Sequence, residues 1–230
     1  MKIVEQSSDW FARTTLADGP SPENYQGSSE NGGYSSCSSN RYASTRVLQR
    51  NTPTPNRYSD AGMLLAALYR TGFEAVAHGP VAQDVLRDGG DAAIARALDW
   101  MVDRAPETLE PTVGHGRKTA AFNMTVLSQL LGTPLQPDLS GHVLMLEEVE
   151  EAMYRIDRSL FHITSNADIR RVSGLMLGRC SAIVPNDPDF GMNEEEIARY
   201  WCQRSGIPWL GRADIGHDAN NKIVPFGSLL

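Results

Sequence analysis

Cysteine is scarce in this sequence: three in 230 residues (Cys37, Cys180 and Cys202), with no pair at CxxC spacing. An odd, unpaired set argues against a disulfide framework and a structural zinc site, and a reducing compartment is its simplest setting. Long apolar runs are missing too. No stretch approaches the roughly 20 apolar residues of a membrane-spanning helix, and "MKIVEQSSDW" lacks the apolar core of a secretory leader. Blocks of like charge are absent, since 21 Lys and Arg are interspersed with 28 Asp and Glu for a net charge of −7. A nucleic-acid surface would need clustered basic residues. The remainder is 41% hydrophobic and 21% charged, enough to bury a core in one large or two small domains. These absences lead to the expectation of a soluble, cytoplasmic protein with no nucleic-acid or membrane partner.

Patterned segments begin only after residue 56. Before that, "GSSENGGYSSCSSN" and "NTPTPN" have loop composition. "DAGMLLAALYRTGF" reads as a helix opened by Asp60 and stopped by Gly72, and "DAAIARALDWMVDR" as a second with Ile94, Leu98 and Met101 on one face. "NMTVLSQLLGT" is a third, ended by Gly132. Residues 142–147 then read as a buried strand. Met153, Ile156, Leu160 and Ile163 form one helical stripe, and 172–179 reads as a second buried strand. Residues 193–206 make a helix with a capping-box start at Asn193 and Glu196, and "IPWLG" is a short third strand. Strands of continuous apolar residues alternating with helices predict an α/β fold with a parallel sheet covered on both faces.

Sites in such sheets lie beyond the carboxyl ends of the strands, where Glu147, Arg179 and the "DIGHD" segment (214–218) are expected. The pair Glu147–Glu148 has a plainer reading, as first-turn acids of the next helix. Ser59 in "RYSDAG" stands at a loop-to-helix junction, where its hydroxyl can project beside free backbone N–H groups. It would serve equally well as an ordinary N-cap. His217, in a Gly-flanked loop, is a candidate general base, whereas His142 and His162 have apolar contexts that suit packing. A nucleophile needs a base, and the base a carboxylate; Ser59, His217 and Glu147 would supply one of each. Metal catalysis finds no HExxH and no paired His at ligand spacing, and "GHGRKT" lacks the P-loop spacing.

In order along the chain, "GGYSS", "YSD", "HGP", the run from "NMTVLSQLLGTPL" through "HVLMLEEVEEAMYRIDRSL", and "GIPWLGRADIGHDANNKIVPFGSLL" resemble the LD-carboxypeptidase family, which also contains the microcin C immunity peptidases. The likeness covers about residues 30–230 and is most specific over 123–160. It implies a cytoplasmic serine peptidase with a Ser–Glu–His triad and no metal or other cofactor. Ser59 would be the nucleophile, His217 the base and Glu147 its orienting carboxylate. The backbone N–H of Asp60 and that of Gly32 or Gly33 would form the oxyanion hole. The implied substrate is a small peptide-like amide, such as the terminal D-Ala of a murein tetrapeptide, or an aminoacyl-adenylate analogue in the immunity branch. The implied fold has two parallel-sheet domains: residues 1–110 as a shortened N-terminal domain with the nucleophile, and 111–230 as a swivelling β/α domain with Glu and His. A homodimer is a further implication. Arg57, Ser35 and Ala121-Phe122 replace residues that are normally glycine in the family. An impaired member that binds peptide or serves assembly is therefore the alternative expectation.

Overall fold

A computed structural model describes residues 61–229. Helix α1 (Ala61–Arg70) opens this region, followed by β1 (Ala77–His78), a 3₁₀ turn at Ala82–Leu86 and α2 (Gly90–Asp103). Strand and helix then alternate through β2 (Lys118–Asn123), α3 (Met124–Leu130), β3 (His142–Val149), α4 (Met153–Ser165), β4 (Gly174–Ser181), α5 (Glu194–Ser205) and β5 (Trp209–Arg212), and β6 (Val224–Pro225) comes last. Strands β2, β3, β4 and β5 form one sheet in that order, with every pairing parallel. β1 and β6 pair antiparallel, His78 opposite Val224.

The expected helices and buried strands are present, each within a few residues of its predicted bounds. Asn193 caps α5, and Glu196 reciprocates as the capping box requires. β2 is an addition. Its segment "KTAAFN" is short and runs straight into α3, so the helical period dominates the window. The register places Asn123 opposite Glu147 at the carboxyl ends of β2 and β3.

Strand alternation divides the core. Ala120, Phe122, Leu144, Leu146, Leu175 and Leu177 join one cluster with the inner faces of α1, α3, α4 and α5. Ala121, Val143, Met145 and Met176 point the other way, to Ala213, Ile215, Ile223 and Val224 and to Trp100 of α2. Both faces are covered, but unequally. Strand order follows chain order without reversal, so crossovers of one hand put all their helices on one face. The loop after β5 and Trp100 cover the other.

In α2 the aliphatic face is not the buried one. Leu98 is 49% and Met101 37% exposed, whereas Ala93 and Trp100 are buried. The inward stripe is Gly90, Ala93 and Trp100: two small residues allow close approach, and the indole buries more apolar area than a leucine. No helix among the described residues is long and apolar enough to cross a membrane.

Candidate active site

Glu147 and Glu148 lie inside β3, not beyond its end and not in the first turn of α4, which begins at Met153. Being neighbours on a strand, they point to opposite faces. Glu148 follows Leu144 and Leu146 to the helix-covered face. There its carboxylate accepts from Asn123 Nδ2 (2.5 Å), Thr125 N (3.0 Å), Thr125 Oγ1 (2.8 Å) and Val149 N (3.0 Å). It thus serves a helix start, that of the preceding helix α3, beside the Asn123 cap. Burial pushes its carboxyl up from the usual range, against the pull of those donors.

Glu147 follows Val143 and Met145 to the other face and is 1% exposed. Its Oε2 has no hydrogen-bond partner among the described residues and lies 3.6 Å from His217 Nδ1. An enclosed carboxylate oxygen with one imidazole at this range is costly for stability, and it suits a group that orients a ring.

The approach depends on missing side chains. The β3–β4 register slips between Leu146–Leu177 and Glu148–Cys180, giving β4 an extra residue at Gly178–Arg179. A Cβ on Gly178 would lie 2.7 Å from Ile215 O and 3.2 Å from Glu147 Cβ. Glycine lets the loop close on β4, and Arg179 N then donates to Ile215 O at 2.8 Å. Gly216 is as confined: its Cβ would meet Arg179 Nε at 2.8 Å.

Charge pairs and hydrogen bonds hold the loop from several sides. Arg179 grips Asp218 through Nε (2.6 Å) and Nη2 (3.0 Å) and Asp214 through Nη1 (2.6 Å). Burial opposes the charge of Asp218, but the guanidinium outweighs it and holds the carboxyl below its usual range. Arg87, paired with Asp84, donates to His217 O. Arg96 donates to Ala219 O (2.9 Å) and Asn221 O (3.1 Å), and Glu110 accepts from Asp214 N (3.3 Å).

The structure therefore brings Glu147 and His217 together. Ser59, Asp60, Gly32 and Gly33 lie outside the described residues. Ala61 and Gly62, the first residues of α1, line the same cavity as Glu147, His217, His78 and Asn221. His78, Asn221, Arg87 and Arg96 are absent from the candidates drawn from sequence. "HGP" marked the first through family likeness alone, and the arginines act through backbone carbonyls that no local pattern reveals. His142 is a core residue as expected, but His162 is exposed and bonds Ser128 Oγ at 2.8 Å. Burial raises the Cys180 thiol strongly and pushes Cys202 up to about 12, so neither thiol is an activated nucleophile. Among the described residues no group of three or more His, Cys, Asp or Glu could hold a metal ion.

Residues 118–230 match the family model described as the LD-carboxypeptidase C-terminal domain. A Synechocystis sp. protein provisionally named a carboxypeptidase is 31% identical over 204 residues, 84% of this chain and 67% of that one. The chain belongs to the LD-carboxypeptidase family. The murein tetrapeptide carboxypeptidase of Pseudomonas aeruginosa is 27% identical over 199 residues, covering 78% of this chain and 63% of that protein. In fold, the chain is similar to the crystal structure of muramoyltetrapeptide carboxypeptidase from Oxalobacter formigenes, with TM-score 0.60 and 24% identity over 72% of this chain and 60% of that one. The chain thus spans between 60% and 67% of the length of these three proteins.

Proposed function

We propose that the chain is a serine hydrolase of LD-carboxypeptidase type, cleaving an amide bond in a small peptide-like substrate. The observation that carries this reading is the convergence of Glu147, His217 and the start of α1 on one cavity. Ser59 stands two residues before Ala61 in the sequence. That closeness in the chain supports Ser59 as the nucleophile.

In this mechanism His217 takes the Ser59 proton as the hydroxyl oxygen attacks the amide carbonyl. Glu147 holds the ring by accepting from Nδ1–H, leaving Nε2 for the hydroxyl. A contact of 3.6 Å is longer than a hydrogen bond, and such contacts commonly tighten when substrate binds. The N–H of Asp60 and that of Gly32 or Gly33 would receive the developing oxyanion. His217 then protonates the leaving amine, and water releases the acyl group. The nucleophile comes from residues 1–110 and the acid–base pair from 111–230. Release of the terminal residue of a murein tetrapeptide, D-Ala by the family resemblance, fits the name of the Pseudomonas aeruginosa relative, and the same reading expects a cytoplasmic homodimer.

The test is release of D-Ala from a murein tetrapeptide, or hydrolysis of an aminoacyl-sulfamoyl adenosine, by wild type and Ser59→Ala. Turnover that disappears in the variant at unchanged Tm supports the reading. Equal turnover by both removes Ser59 as nucleophile. Binding of the peptide without turnover by wild type overturns the hydrolase in favour of a binding protein.

A further inference from the structure

Asn221 stands between two histidines. Its Oδ1 accepts from the backbone N–H of Gly216 at 3.1 Å, which fixes the orientation of the amide because that partner can only donate. Its Nδ2 therefore faces His78 Nε2, 3.3 Å away. The contact is a hydrogen bond only while that ring nitrogen carries no proton, so the arrangement selects neutral His78 with its proton on Nδ1. Gly216 immediately precedes His217. On its other side, His78 is tied to the chain that leaves the loop, because β1 pairs with β6.

We propose that His78 is a positioning residue for His217, acting through Asn221, and that protonation of His78 loosens the loop presenting His217. This rests on the reading of His217 as general base. A protonated His78 offers a donor at both ring nitrogens. Its Nε2–H would then oppose the Asn221 amide hydrogens. Turning the amide over satisfies His78 but sets Nδ2 against the Gly216 N–H. Either state leaves one donor–donor contact at the loop, and the relief is for Asn221 to release Gly216.

The groups facing His78 allow this switch. Burial disfavours its charge most. Glu147, from β3, favours that charge, and His217, from the loop, opposes it. Asp84, Arg87 and Asp218 line the same cavity. Acidification therefore meets a ring held neutral by its surroundings, and the alignment of His217 fails once that ring takes a proton.

The test uses the full chain and compares wild type, His78→Leu and His78→Gln. Glutamine keeps an acceptor for Asn221 Nδ2 and does not titrate. His78→Leu should lower kcat about 10- to 100-fold with KM little changed, as displacement of a reacting group does. His78→Gln should recover most of that loss and remove part of the acid-side fall in kcat. A second readout is independent of turnover: hydrogen exchange and the NMR signal of the Gly216 amide. In wild type this amide should shift and exchange faster as His78 titrates, and in His78→Gln it should not respond. Electrostatic proximity alone would not open that hydrogen bond. Unchanged kcat and an unchanged acid limb in both variants, or a Gly216 amide blind to His78 titration, would overturn the proposal. If wild type turns over no peptide, the hydrolase reading fails while the amide measurement still decides the relay. If His78→Leu does not fold, the glutamine variant and the wild-type titration carry the test.

Discussion

On the helix-covered face of the sheet, Leu144 and Leu146 lead to Glu148, whose carboxylate is met by four donors from the start of α3 and the adjoining chain. On the opposite face, Val143 and Met145 lead to Glu147, whose buried oxygen meets, among the described residues, only an imidazole at 3.6 Å. The two acids are adjacent and equally enclosed, so burial does not separate them. Their partners do. One face satisfies its carboxylate with fixed backbone and side-chain donors, as a structural group requires. The other leaves its carboxylate aimed at an imidazole in a cavity, with no hydrogen-bond partner for Oε2 among the described residues, as the proposed role of Glu147 would have it.

The largest effect that can break this contrast is on catalysis. Glu147→Gln keeps the shape but can hold the wrong histidine tautomer, and kcat should fall about 10⁴-fold. Thermal stability should stay level or rise, because a buried acceptor with no partner among the described residues becomes a neutral amide. A fall in Tm with activity intact would mean that Glu147 is the structural acid. Glu148→Ala should do the converse. It strands the buried Asn123 amide and the Thr125 N–H, and urea titration should show a loss of about 2–4 kcal/mol. If instead activity disappears and stability holds, the two roles have been exchanged.

A smaller effect probes how the second face is assembled. Gly178→Ala places a methyl group 2.7 Å from Ile215 O, and the loop after β5 must retreat from Glu147. Activity should drop about 10- to 100-fold, while unfolding shows a cost of about 1–3 kcal/mol from overpacking. A matching insertion on the helix face lacks this signature, since nothing there presents the imidazole. Comparable kcat in Gly178→Ala and wild type would show that the loop does not need its close seat on β4.

Much of the first face is legible in the sequence, and much of the second is not. The apolar runs of β3 and β4, the stripe Met153–Ile156–Leu160–Ile163 and the Asn193–Glu196 box are local signals, and each element forms where its signal lies. The candidate site is assembled from contacts more than 100 residues apart, such as Arg87 to His217 O and Arg96 to Ala219 O. No periodicity encodes them, because an arginine that donates to a distant carbonyl looks like any exposed arginine. Motif order pairs Glu147 with His217, and strand alternation sends Glu147 and Glu148 to opposite faces once β3 is bounded. In α2 the aliphatic stripe does not tell which face turns inward. Three aliphatic residues made a cleaner stripe than one tryptophan with two small residues, yet the tryptophan buries more.

The smallest effect uses two enclosed histidines, one tied to each face. His142 Nδ1 donates to Ser140 O (3.2 Å), and its Nε2 accepts from the Tyr69 hydroxyl of α1 at 2.8 Å. Burial lowers His142 and His78 alike. For such a group the unfolded chain binds more protons than the fold just below the ordinary histidine value of about 6.5. Its stabilisation is therefore complete above about pH 6.5 and is lost as pH falls through the window below. His142→Gln should flatten that acid slope of stability and, through the weakened Tyr69 contact, cost about 1 kcal/mol at neutral pH, with the acid limb of kcat unmoved. His78→Gln should flatten the slope of stability and the limb of kcat together. Stability curves and pH–rate profiles on the same two variants thus ask whether acid weakens one fold uniformly or acts on the cavity face separately. Identical responses would erase the distinction between the faces.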